Sequence, residues 1–202
     1  MRVLPRVSAL TAALCVSASA TAFAQTTIGS STSSAVLQCA GGSCGQSFTV
    51  PATPSLDDVL QSFTLTFATS SDQTFQIYAF SGGVLTGSPL FTQAVSPTSG
   101  TETRTFTPAG GLALVSGAQY AAVLTALGSG VSLSYGFPGA YAGGDLVVCP
   151  ASVCGVQPTI DAVFSATFIS SQATVPEPST WVMLATGSLG LGALAVIQKR
   201  RS

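Results

Sequence analysis

The 202-residue chain has no histidine, and its only lysine is Lys199. Without imidazole there is no Ser-His-Asp or Cys-His hydrolase, no His-ligated zinc and no ordinary histidine acid–base catalyst. Without a lysine before residue 199, Schiff-base and Ser-Lys chemistry are excluded from the middle of the chain. Charge of either sign is scarce: six basic and seven acidic residues make up 6% of the sequence, against about 25% in an ordinary soluble domain. Arg2 and Arg6 lie at one end and Lys199, Arg200 and Arg201 at the other, so Arg104 is the only base between them. The middle is therefore acidic, with Asp57, Asp58, Asp72, Glu102, Asp145 and Asp161. It carries no basic footprint for nucleic acid, and that partner is excluded. Phosphate-cradling loops are missing as well, because Gly41-Gly42 and Gly110-Gly111 lack a following Gly-Lys-Ser/Thr. The single tryptophan, Trp181, stands outside the middle, which leaves no indole there as a platform for sugar rings.

What is present begins with two addresses. Residues 1–24 run from Arg2 and Arg6 through the apolar stretch Val7 to Ala20 and reach Ala22-Phe23-Ala24 before Gln25. This layout predicts a secretory signal peptide cleaved after Ala24, since small residues at −3 and −1 fit the peptidase pocket. At the other end, Val175-Pro176-Glu177-Pro178-Ser179 precedes an apolar run from Trp181 to Ile197 and the trio Lys199-Arg200-Arg201. The two prolines fix φ and remove two backbone donors, so residues 173–180 read as an extended linker. As a helix, residues 181–197 span about 25 Å, enough to cross a bilayer when flanking residues sit at the interfaces. Trp181 suits one interface and the basic tail, 198–202, the cytoplasmic one, which puts the middle of the chain outside the inner membrane.

Pro176-Glu177-Pro178, the Gly/Leu/Ala-rich helix and the terminal basic cluster together resemble the PEP-CTERM sorting signal of Gram-negative bacteria. The resemblance covers residues 175–202 and implies recognition by a membrane-embedded exosortase, with processing near the Pro-Glu-Pro motif. It implies a route of export and sorting, and the domains carried in front of such tails are diverse.

Residues 25–172 read as one all-β domain. Phe63, Leu65 and Phe67 alternate with Ser62, Thr64 and Thr66, the period-two pattern of a half-buried strand. The same alternation runs through Phe75-Ile77-Ala79, Tyr120-Ala122-Leu124, Val131-Leu133-Tyr135-Phe137 and Ile160-Ala162-Phe164-Ala166-Phe168. Turn signals stand between them at Gly82-Gly83, Gly87-Ser88-Pro89, Pro97 to Gly100, Pro108 to Gly111, Gly128 to Gly130 and Gly143-Gly144. The spacing predicts eight or more short antiparallel strands in a two-sheet, jelly-roll-like β-sandwich, with a single helical turn allowed at Asp57 to Gln61.

Four cysteines remain after signal removal, Cys39, Cys44, Cys149 and Cys154. An even count in an exported chain points to disulfides. Three pairings exist, and the Gly- or Pro-containing short loops favour Cys39 with Cys44 and Cys149 with Cys154. A Cys₄ zinc site has the same ligand count and is disfavoured by the oxidising compartment. The remaining chemistry is carboxylate chemistry. Asp57-Asp58 with Asp145 or Asp161 has the donor type for Ca²⁺, although adjacent aspartates after Pro54-Ser55 more often cap a turn. In the aromatic and glycine-rich segment Ser134 to Gly144, Tyr135 and Phe137 fit the core alternation, which leaves Tyr141 as the candidate ligand contact.

The expectation is an exported protein that passes through signal peptidase and an exosortase. It is anchored transiently in the inner membrane and then delivered to the envelope surface or extracellular matrix. Its sandwich serves there as a non-catalytic structural or interaction module needing no cofactor, with exopolysaccharide as candidate associate. The alternative is a secreted carboxylate-dependent glycan hydrolase using residues such as Asp161 and Glu102.

Overall fold

The structure, a computed structural model, describes residues 25–39, 42–52, 57–126 and 130–170. The expected signal peptide (1–24), Pro-Glu-Pro linker, transmembrane helix and basic tail lie outside the described residues. Among the described residues fourteen strands follow in chain order: β1 (Gln25–Ser30), β2 (Ala35–Cys39), β3 (Gly42–Thr49), β4 (Asp57–Thr69), β5 (Gln73–Ser81), β6 (Val84–Val95) and β7 (Glu102–Phe106). They continue with β8 (Leu112–Ala113), β9 (Gln119–Ala126), β10 (Val131–Gly136), β11 (Leu146–Cys149), β12 (Gly155–Gln157), β13 (Asp161–Ala162) and β14 (Phe164–Ser170). The described residues contain no helix.

The strands form two antiparallel sheets. In the first, the long strand β4 is central. One edge of it pairs with β14 and then β10, the other with β8 and β7. Beyond them β1 flanks β14 and β2 flanks β10. The second sheet has the order β12-β11-β3-β9-β5-β6. Apart from hairpins and strands continuing along one sheet, each connection carries the chain from one sheet to the other, as β3 to β4 and β9 to β10 do.

The sheets pack through their alternating residues. Phe63, Leu65 and Phe67 of β4 are fully buried, as are Phe75 and Ile77 of β5 and Phe168 of β14. Phe48 and Phe63, from opposite sheets, have ring centroids 5.4 Å apart, and Phe75 stacks on Phe106 at 3.7 Å with planes 2° apart. Fully burying each such side chain contributes about 1.5–3 kcal/mol. Cys39 of the first sheet and Cys44 of the second form a disulfide inside this core, tying the sheets together at one end.

A second, smaller core lies on the outer face of the second sheet. Ala121, Val123 and Val147 point away from the first sheet and pack with Phe80 and the Cys149–Cys154 disulfide, with Tyr78 and Leu85 at its margin. The cover for this face comes from a bent hairpin. Gly82 and Gly83, at φ +57° and +79°, make the tight turn between β5 and β6 that only residues free to adopt positive φ form readily. The pairing of β6 with β5 jumps from Phe91 opposite Ile77 to Thr86 opposite Ala79. The residues between bulge out, and the hairpin bends. Its tip reaches the β11–β12 connection, where Val84 bridges Val153, Leu85 N donates to Ser152 O at 2.9 Å and Cys154 N to Gly83 O at 2.8 Å. The two margins of the sheet thus meet over its own outer face.

Two sequence expectations are corrected here. Gly87-Ser88-Pro89 is not a turn between strands but lies within β6, where the bulge sits. Proline is tolerated there because β6 lies at the edge of the second sheet and residues 87–90 pair with no strand among the described residues. Asp57 to Gln61 is not a helical turn but the start of β4, which pairs with β14 and β8 from Asp57 and Val59 onward.

Replacing Phe75 by Ala is expected to cost about 3–5 kcal/mol in urea unfolding, because the ring's cavity opens between the sheets. Phe137→Ala, at a side chain 62% exposed, is expected to change stability by about 0.5 kcal/mol or less. Equal losses at both positions would contradict the packing described.

Candidate functional site

The strand-to-loop region from Tyr135 to Leu146 holds the aromatic segment noted in the sequence. β10 ends at Gly136, so Phe137 leaves the alternation and is exposed, while Tyr135 stays partly buried against the core. Tyr141 turns inward. Its hydroxyl accepts a hydrogen bond from Thr49 N at 3.1 Å and donates to Thr49 O at 3.3 Å. Its ring meets Phe164 edge-on at 5.2 Å. The expectation that Phe137 belongs to the core and Tyr141 is the freer aromatic is therefore reversed. The period-two pattern runs one residue past the end of β10, and the Tyr141 hydroxyl is spent on the β3 backbone.

Asp161 ties this loop to both sheets. The carboxylate is 1% exposed; Oδ1 accepts from Gln46 Nε2 at 3.0 Å and Oδ2 from Tyr141 N at 2.8 Å. Gln46 Oε1 in turn accepts from Ala162 N at 2.7 Å. The pair crosses between the sheets, from β3 to β13, and satisfies polar atoms that would be costly to bury alone. Gly139 belongs to the same cluster, since a Cβ there would stand 2.6 Å from Asp161 Oδ2. Ser47 and Asp145 add a reciprocal clasp: Asp145 N donates to Ser47 Oγ at 2.8 Å, and Ser47 Oγ to Asp145 O at 3.0 Å.

The other carboxylates are dispersed. Glu102 forms an ion pair with Arg104, whose guanidinium lies 6.0 Å from the Phe67 ring centroid at the rim of the main core. Asp58 O accepts from Leu114 N at 2.8 Å. No three acidic, cysteine or histidine residues converge on a possible metal position among the described residues. Among the described residues all four cysteines, Cys39, Cys44, Cys149 and Cys154, are in the two local disulfides favoured by the sequence.

A site missed by sequence reasoning lies on the rolled sheet. A cleft of about 370 Å³ opens between the bent hairpin and the β11–β12 connection. Ser43, Thr125 and Gln76 form its floor, Leu85 and Gly87 one wall, Pro150 to Ser152 the other, with Tyr78 at the side. Ser43 Oγ and Thr125 Oγ1 are 3.1 Å apart, Thr125 Oγ1 donates to Gln76 Oε1 at 2.8 Å, and Tyr78 Oη donates to the same oxygen at 3.1 Å. These residues come from β3, β5 and β9, and their only shared sequence signal is a polar position on the face opposite the core.

Residues 174–201 match the PEP-CTERM protein-sorting motif. No family model matches the β-domain. Neither curated proteins nor solved structures give a match. Pro176, Glu177, Pro178, Trp181, Lys199, Arg200 and Arg201 fall within the matched segment and outside the described residues.

Burial raises the pKa of Tyr141, the hydrogen bond to Thr49 opposes this, and the nearby Asp161 charge adds to it. The folded state then holds the phenol proton more tightly than the unfolded chain. This contribution is fully present below an unfolded pKa of about 10 and is lost as pH rises through the folded value. Tyr141→Phe is expected to lower stability at neutral pH by about 1 kcal/mol, through the lost Thr49 bonds, and to make the decline above about pH 10 shallower. Identical alkaline limbs for both proteins in pH-dependent urea unfolding would refute the assignment.

Proposed function

We propose that the chain is an exported, exosortase-sorted protein whose β-sandwich acts at the envelope surface or in the extracellular matrix as a non-catalytic structural or interaction module, with exopolysaccharide as its associate. The observation that carries this reading is the sorting motif at residues 174–201 behind an all-β domain. On this reading signal peptidase removes residues 1–24 and residues 181–197 hold the chain in the inner membrane. The exosortase then acts near Pro176-Glu177-Pro178. The basic residues Lys199, Arg200 and Arg201 keep the tail cytoplasmic.

The domain's own chemistry supports a role without catalysis. Asp161 has both oxygens engaged in an inter-sheet contact, and Glu102 is paired with Arg104 at the rim, so each is occupied in holding the fold. The winding of the chain between the two sheets supports reading the sandwich as jelly-roll-like.

Intact mass of the protein recovered from envelope and medium tests the route. Loss of residues 1–24 and of the tail beyond the Pro-Glu-Pro motif is expected, together with disappearance from the surface and matrix fractions when residues 174–201 are deleted. A retained tail, or unchanged delivery of the deletion variant, would contradict sorting by this signal.

A further inference from the structure

The cleft on the outer face of the second sheet has the dimensions and the chemistry of a ligand site. Its volume of about 370 Å³ falls within the roughly 300–1,000 Å³ range of small-molecule sites. Its lining is uncharged throughout. The hydroxyls of Thr125 and Tyr78 both donate to Gln76 Oε1, which fixes the orientation of the amide. Gln76 Nε2 makes no hydrogen bond to another described residue, so two N–H donors remain for an occupant. The Ser43 and Tyr78 oxygens keep acceptor lone pairs beside them.

Fixed donors next to acceptors, with no charge, complement a ligand whose groups are each both donor and acceptor: a neutral polyol. Tyr78 adds aromatic surface of the kind that packs against the C–H face of a sugar ring. An anionic ligand finds no counter-charge, because the cleft has no basic residue and Arg104 is held in the first sheet by Glu102. The walls are pre-formed: the Cys149–Cys154 disulfide and the Leu85–Ser152 and Cys154–Gly83 hydrogen bonds hold the hairpin and the connecting loop in register before anything binds.

We propose that this cleft binds a neutral saccharide unit, with Gln76 as the principal donor and Tyr78 as the ring contact. The inference names a ligand and a site for the interaction module proposed above and rests on that reading.

The test is titration of the protein in the form recovered from the envelope and medium, with neutral gluco-, manno- and galacto-hexaoses and with an oligo-uronate as the anionic comparison. Binding to at least one neutral hexaose is expected, weakened about tenfold by Gln76→Ala and unchanged by Thr64→Val on the opposite sheet. Thermal melting of both variants close to the parent is the control for folding. Absence of binding to every neutral probe, binding indifferent to Gln76→Ala, or preference for the uronate overturns the cleft assignment. Surface delivery and matrix association, measured on the same Gln76→Ala strain, separate that failure from failure of the module itself. Retained association with no saccharide binding removes the cleft and leaves the module, whereas loss of delivery in the tail-deletion strain speaks only to sorting.

Discussion

The central strands of the second sheet are buried on both faces, and the rest of the domain is arranged around that fact. β3 is buried along nearly its whole length. Its Cys44 and Phe48 face the main core, while β9 gives Leu124 to the main core and Val123 to the smaller one. β9, buried on both sides, contributes apolar contact from successive residues, Tyr120 to Leu124, rather than from every other one. This chain has little else to draw on. The Glu102–Arg104 ion pair is partly exposed and contributes little. Stability therefore rests on apolar contact on either side of one sheet, with one disulfide set into each core.

Poverty of charge also shapes the outside. On the outer face of the first sheet, hydroxyls pair across strands: Thr64 with Thr105 at 3.0 Å and Thr66 with Thr103 at 2.8 Å. Such cross-strand threonine pairs stabilise a sheet modestly. Lysines and glutamates usually guard strand edges against pairing with neighbours, and here other devices take that place. The bulge at Gly87 to Pro89 distorts β6, and the hairpin tip that it bends is paired with the β11–β12 connection. The same bend forms a wall of the cleft, so protection of an edge and creation of a concave surface have one structural cause.

Much of this was legible in the sequence where a single physical rule governs. Phe63, Leu65 and Phe67 alternate because one face of β4 meets the core, and all three are fully buried. Gly82-Gly83 marks a hairpin because positive φ at both residues excludes most side chains. The disulfides were readable because each pair lies within reach along its own short loop. Reading failed where two rules compete. Proline and glycine at 87–89 signal a turn, but an edge strand accommodates them as a bulge. Alternation through Tyr135 to Phe137 ignores the strand end at Gly136, and Tyr141 is drawn inward by partners 92 residues away in sequence. The smaller core and the cleft were hidden for the same reason. They require knowing that the β5–β6 tip and the β11–β12 loop meet, a contact that no local pattern encodes.

Native-state hydrogen exchange followed residue by residue on the intact, oxidised protein addresses the two-sided burial most directly. Amides of β3 and β9 are predicted to be the slowest to exchange in the domain, opening only with global unfolding, while those of β6 and β7 exchange through local opening. If β3 and β9 exchange as readily as the edge strands, the second sheet is not the shared wall of two cores, and the account of the fold and of the cleft built on it fails together.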